Sequence, residues 1–342
     1  ENVVAITNGG GIRAWIHKGD ISKLDVNTVL PFGNTVAVVY VTGAELLEAL
    51  EASTFALPDS LGGFPQIAGM NISIDATKKY DPQTTPYPSG SGKATYYGPA
   101  SINRVTINSV NGKAFDPNKT YAVVTNNFCA AGGDTYYAFA AASAQFDTGI
   151  PLDEAVMEYV TTELKGVIGA QYAAPQGRIL LNPFKDVKVS SWFGKYVIDL
   201  YNDGIINGTS ATTYAPNDTL TWAAALKLLL VSNGDLKAAD ATGADWSKNV
   251  IAKAAELGLV AADLDGAKAI SRLEFCQVAA KLNKLAESKT ESKFTDCTDG
   301  YVMALVDAKV INGMTETTFE PDASLTRAQI AKIIYQLNLI EK

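Results

Sequence analysis

Asn8-Gly9-Gly10-Gly11-Ile12-Arg13 follows directly on an apolar, strand-like run of Val3, Val4, Ala5 and Ile6. Three successive glycines let a backbone approach a ligand closely and take positive φ. Successive amides in such a turn can form a nest for an anion. The arginine that follows carries a planar fork suited to phosphate or carboxylate. The stretch therefore reads as a strand ending at the anionic end of a small-molecule site. Taken alone, three glycines and an arginine read first as a tight surface turn. The rest of the chain reverses that preference.

Working outward, residues 1–183 mix strand and helix signals in an α+β pattern. Thr35–Thr42 is β-branched and strand-like, and Gly43–Ser53 has leucines at helical spacing. Met70–Asp75, Asn103–Val110, Tyr121–Thr125 and Gly177–Leu181 read as strands, and Lys78–Gly98 as a long surface loop. Tyr136–Ser143 and Leu152–Ile168 read as helices, the second with Asp153 and Glu154 in its first turn, where they favour the dipole. Phe32 stands in a Pro-Phe-Gly turn, outside any periodic run, and Phe128 stands between two asparagines and a glycine turn. Asp134 follows Gly132 and Gly133, where a turn can hold a carboxylate acceptor.

The composition narrows the function classes. The chain has 342 residues, room for about two or three domains. Hydrophobic content is 47%, enough for a packed core. A net charge of −8 argues against nucleic acid as a partner, because that requires a concentrated basic face. No apolar run reaches the roughly 20 residues of a membrane span. There is no basic segment followed by an apolar leader, and the chain opens inside a strand pattern without Met, as the C-terminal product of a larger precursor would. Cys129, Cys276 and Cys297 lack zinc-like spacing; each reads as a buried thiol, with a Cys276–Cys297 pair as the alternative. His17 is the one histidine, on a turn-like stretch. A hydrolytic di-metal centre draws on several His and Asp ligands, so no metal site is expected here. A Ser-His-Asp triad is not expected either, since there is no G-x-S-x-G elbow and His17 has no obvious partner.

Residues 184–342 change character, and a repeat appears in about 184–235, 236–290 and 291–342. Phe184-Lys185-Asp186 matches Phe294-Thr295-Asp296. Gly204-Ile205-Ile206-Asn207-Gly208 matches Lys309-Val310-Ile311-Asn312-Gly313. Thr213-Tyr214-Ala215-Pro216 matches Thr318-Phe319-Glu320-Pro321. Thr221-Trp222, Ser271-Arg272 and Thr326-Arg327 open three capped helices, with Glu274 and Gln329 completing capping boxes. Each unit is too small to bury its apolar face alone, so three should pack together.

This second half resembles three tandem S-layer homology modules. The resemblance implies an all-α bundle of pseudo-threefold form that binds secondary cell-wall polysaccharide, often through acidic or pyruvylated sugars. It makes Arg272 and Arg327 ligand contacts, with Trp222 replacing the arginine in the first copy, and Trp192 and Tyr301 as aromatics able to stack on sugars.

The first half resembles the C-terminal, substrate-binding domain of the 5′-nucleotidase family. Four ordered motifs carry the likeness: Asn8–Arg13, Leu30-Pro31-Phe32-Gly33-Asn34, Gly63-Phe64-Pro65-Gln66-Ile67-Ala68-Gly69, and Asn127-Phe128-Cys129-Ala130-Ala131-Gly132-Gly133-Asp134. The resemblance implies that Phe32 and Phe128 sandwich the base and Asp134 accepts from the ribose hydroxyls. It implies that Arg13, helped by Asn8, holds the phosphate, and that Asn34 and the backbone at Gly69 line the base pocket. Catalysis in the family belongs to an N-terminal domain with divalent metals such as Zn or Mn. The resemblance leads to the expectation that such a domain, and first strands of this one, belong to a larger precursor. The expectation is thus the nucleotide-binding and wall-anchoring part of an extracellular 5′-nucleotidase-like hydrolase, without cofactor or catalysis of its own, working with an N-terminal catalytic half. The alternative is a non-catalytic surface-layer protein that keeps the domain as a scaffold.

Overall fold

The computed structural model describes residues 2–87, 96–172 and 176–340. The chain divides into two compact units, Glu1–Pro183 and Phe184–Lys342.

The first unit runs β1 (Val3–Asn8), α1 (Lys23–Val29), β2 (Thr35–Thr42), α2 (Gly43–Ala52), β3 (Pro65–Ala68), β4 (Met70–Asp75), β5 (Val105–Val110), β6 (Thr120–Asn126), α3 (Asn127–Ala130), α4 (Tyr137–Ala140), β7 (Ala144–Pro151), α5 (Leu152–Glu158) and β8 (Ile179–Asn182). One sheet has the order β3-β1-β6-β2-β7 and a second the order β5-β4-β8. β1 pairs parallel with β6, while β1–β3, β2–β6 and β2–β7 are antiparallel. The period of two directs Val4 and Ile6, Ala37, Val39 and Val41, and Tyr121 and Val123 to one face of the larger sheet. There they join Leu46 and Leu50 of α2 and Ile72 and Ile74 of β4 in one core. Each fully buried leucine contributes about 1.5–3 kcal/mol of transfer free energy. Helix α2 also buries a carboxylate. Glu51 is wholly enclosed and accepts from the backbone N–H groups of Asn103, Arg104 and Val105 at the entry to β5.

Two expectations change. The helix expected over Tyr136–Ser143 is a single turn, α4, and the residues after it become the edge strand β7. The helix expected over Leu152–Ile168 keeps its α geometry only to Glu158, widens through Tyr159–Glu163, and stops where Lys165 and Gly166 take φ of 54° and 81°. Part of the Lys78–Gly98 loop lies outside the described residues.

The second unit is helical: α6 (Gly194–Asn202), α7 (Trp222–Asn233), α8 (Trp246–Glu256), α9 (Arg272–Leu282), α10 (Gly300–Asp307) and α11 (Arg327–Asn338). The start of each capped helix docks on the loop of the next copy. Trp222 N–H donates to Lys268 O at 2.9 Å, Arg272 N–H to Ala323 O at 2.8 Å, and Arg327 N–H to Asp218 O at 2.9 Å. The third copy thus closes back on the first, and the middle copy, weakest in sequence pattern, takes its place in the ring. Thr221, Ser271 and Thr326 cap their helices, and Ser271 and Thr326 form full capping boxes with Glu274 and Gln329. Cys129, Cys276 and Cys297 are buried free thiols.

Candidate functional site

Strand register gathers the candidate residues at one end of the larger sheet. β1 and β6 run parallel, so their C-terminal ends, Asn8 and Asn126, lie side by side. Val36 at the start of β2 pairs with Asn126, which brings the Phe32 turn to the same end. Asn8 pairs with Pro65, which adds the Gly62–Phe64 loop.

The glycine turn behaves differently from its sequence reading. Gly9–Gly11 form one 3₁₀ turn, and none of the three takes a positive φ. The N–H groups of Gly9 and Gly10 donate to Phe64 O and Gly62 O, both at 2.8 Å, and those of Ile12 and Arg13 to Gly9 O and Val29 O. These amides therefore make no anion nest. The glycines serve close packing: a Cβ on Gly10 would lie 2.9 Å from Gly62 Cα. The Arg13 side chain is the cationic group of this turn. It donates to Gly10 O at 3.3 Å, and its guanidinium carbon lies 5.8 Å from the Phe32 ring centre.

Asn8 is buried and spends its amide inside the protein. Nδ2 donates to Asp134 Oδ2 at 2.8 Å, and Oδ1 accepts from Asn126 Nδ2 at 3.0 Å. It thereby orients Asp134 with one of its two amide hydrogens. Asp134 sits at φ 53° behind the glycine pair, facing Gly62, where a Cβ would stand 3.7 Å from Oδ2. One carboxylate oxygen is thus fixed by Asn8 while the group stays half-buried.

The two phenylalanines flank this end of the sheet. Phe32 is 60% exposed and Phe128 40% exposed, on turns tied together by the bond from Thr35 N–H to Asn127 Oδ1. A Cβ on Gly133 would lie 2.5 Å from the Phe128 ring, so that ring rests flat on a glycine. Asn34 lines a small recess with Thr7, Gly11, Leu30, Phe32 and Asn126, and its carbonyl accepts from Leu152 N–H. Gly69 does not join them. It pairs near Val3 and Val4 at the other end of β1, about 15 Å along the strand by its rise per residue.

Two features escaped the sequence. Ile12, Trp15 and Leu24, in the stretch between the glycine turn and Phe32, are large apolar side chains left exposed, with Trp15 91% exposed. A cavity of about 520 Å³ also opens on the outer face of the sheet, lined by Ala5, Thr7, Val36, Val124, Tyr172 and Arg178 among others. Among the described residues no group of three or more His, Cys, Asp or Glu is placed to hold a metal ion.

In the second unit, Arg327 lies over the Tyr214 ring at 4.5 Å and donates from Nε to Tyr214 O and from Nη2 to Asn207 O. Arg272 lies over the Phe319 ring at 4.7 Å and donates from Nη2 to Asn312 O. Both clamp neighbouring copies together. Trp192 is 58% exposed and meets Phe193 edge to face.

Residues 1–141 match the family model of the 5′-nucleotidase C-terminal domain, and residues 183–225 and 296–331 match that of the S-layer homology domain. The trifunctional nucleotide phosphoesterase protein YfkN of Bacillus subtilis is 40% identical over 148 residues, 43% of this chain and 9% of that protein. Protein UshA of Escherichia coli is 39% identical over 132 residues, 39% of this chain and 19% of that protein. A 5′-nucleotidase precursor from Thermus thermophilus aligns in structure at 36% identity with a TM-score of 0.41, over 52% of this chain and 31% of that one. The chain spans less than a third of the length of each of these relatives. No helix among the described residues is long and apolar enough to cross a membrane.

Proposed function

We propose that this chain, a 5′-nucleotidase C-terminal domain followed by S-layer homology repeats, holds a nucleotide in its first unit and anchors to secondary cell-wall polysaccharide through its second. The observation that carries the reading is the convergence of Phe32, Phe128, Asp134 and Arg13 on one sheet end. Two exposed rings offer stacking that tolerates any base. Asp134, oriented by Asn8, accepts from ribose hydroxyls. Arg13 supplies the fork for phosphate.

Hydrolysis of a phosphate ester would require metal-bearing residues that the described part of this chain does not present. We assign that chemistry to an N-terminal catalytic half carrying divalent ions such as Zn or Mn. The exposed Ile12, Trp15 and Leu24, in the stretch between the glycine turn and Phe32, support a partner that covers this part of the chain. In that complex this chain positions the nucleoside, and the gain comes from orientation. The S-layer homology repeats support attachment at the cell surface. Trp192, Arg272 and Arg327 are the proposed sugar contacts.

Calorimetric titration of AMP into the full chain tests the recognition role. Binding is expected, and Phe32→Ala and Phe128→Ala should each weaken it about five- to a hundredfold, the about 1–3 kcal/mol of one stacked base. No binding, or unchanged affinity in both variants, would leave the scaffold alternative standing.

A further inference from the structure

A chain of hydrogen bonds with a fixed direction ends at Asp134. It starts from the backbone. Cys129 N–H donates to Asn126 Oδ1 at 2.8 Å, which caps α3, the turn that carries Phe128. A backbone N–H can only donate, so this bond decides which end of the Asn126 amide faces α3 and which faces away. Asn126 Nδ2 then donates to Thr7 Oγ1 and to Asn8 Oδ1, both at 3.0 Å. The second of these bonds sets the Asn8 amide in turn, and Asn8 Nδ2 donates to Asp134 Oδ2 at 2.8 Å. Every link pairs a donor with an acceptor. Asn126 and Asn8 are both buried, so a reversed amide would set oxygen against oxygen without water to relieve it.

The direction of the chain bears on what Asp134 can read. A carboxylate accepts and does not donate, so it selects hydroxyl groups on a ligand. One of its oxygens is held by Asn8, and among the described residues the other accepts no hydrogen bond. The exposed rings of Phe32 and Phe128 offer stacking to a base and nothing that distinguishes one sugar from another. Asn126 stands under both arrangements. Its oxygen supports the turn beneath Phe128, and its NH₂ group supports the arm to Asp134.

Resting on the nucleotide reading above, we infer that Asn126 is a positioning residue for sugar selection: through Asn8 it fixes how Asp134 meets ribose hydroxyls, and it touches no ligand itself. Its acceptor half serves the base platform and its donor half serves the ribose. Substitution can therefore separate the two.

Calorimetric titration of the full chain with adenosine and with 2′,3′-dideoxyadenosine tests this. The parent should bind adenosine at least tenfold tighter. Asn126→Asp keeps an oxygen for Cys129 N–H and exchanges the donor for a second acceptor, which leaves Asn8 between two carboxylates. Asn126→Ser also caps α3 and is too short to reach Asn8. In each variant the preference for adenosine should fall below threefold, while dideoxyadenosine affinity stays within threefold of the parent's. The uncharged serine variant answers the question where a buried aspartate prevents folding. A preference retained in the variants would overturn the inference. So would an equal loss for the two ligands, which would make Asn126 a support of the fold alone. A parent that binds both nucleosides equally also overturns it and leaves base stacking intact. A parent that binds neither refutes the nucleotide reading itself.

Discussion

Gly133 shows how narrowly one residue sets the site. Its φ is ordinary, so alanine is forbidden there only by space, and the space is filled by the Phe128 ring. Gly133→Ala should therefore push the ring off its seat, lowering AMP affinity at least tenfold while moving the thermal midpoint little. An equal loss of stability would mean that the ring is a packing element. Asn8 makes the opposite prediction. It is buried between Asn126 and Asp134, and removing it leaves buried polar atoms short of partners. Asn8→Ala should cost about 1–3 kcal/mol in a denaturant titration and weaken nucleoside binding through Asp134. The sequence made both positions visible as parts of a site. It could not show that Asn8 spends its amide on Asp134, or that the glycine turn's N–H groups go to Gly62 and Phe64. Those partners lie far along the chain, and only strand register brings them near.

At the scale of elements, strong periodicity was legible and exposed or short elements were not. Thr35–Thr42, with buried Val39 and Val41, and the leucine-spaced helix α2 show their pattern plainly. Strand β7 lies at a sheet edge with nearly all its residues exposed, so no apolar alternation marks it. The Glu51 contact is also silent in sequence: a charge in an apolar helix face reads as surface until β5 arrives. Glu51→Ala should destabilise the first unit by about 3 kcal/mol or more, since it strands buried backbone donors. In the second unit, Asp296 accepts from the N–H groups of Phe319 and Glu320, with Glu320 at φ 60°. Those bonds hold its carboxyl below the usual carboxylate range. A depressed folded-state value gives stability that is present above the unfolded value and lost as pH falls through the folded one. The thermal midpoint of Asp296→Asn should thus trail the parent at neutral pH, and the gap should close below about pH 4. A gap constant with pH would remove this carboxylate from the loop's support.

For the whole molecule, the decisive fact of the second unit is closure. An open repeat array loses stability one neighbour at a time. Here α11 docks on the Pro216–Asp218 loop of the first copy, so its removal opens the ring at both ends. A chain ending at residue 325 should lose the whole bundle's thermal transition and pellet no longer with cell walls, while still binding AMP. A truncated bundle that melts as before would contradict closure. The repeat was legible because loop and cap residues recur in order; which carbonyl each arginine meets was not, because every partner belongs to another copy. In the proposed reading, recognition and attachment occupy separate units of one chain. The most direct measurement of the central claim is a crystal structure of the chain soaked with AMP. The base should lie between Phe32 and Phe128, the ribose hydroxyls on Asp134 and the phosphate toward Arg13. Nucleotide density in the cavity beside Arg178 alone, with both rings bare, would contradict it.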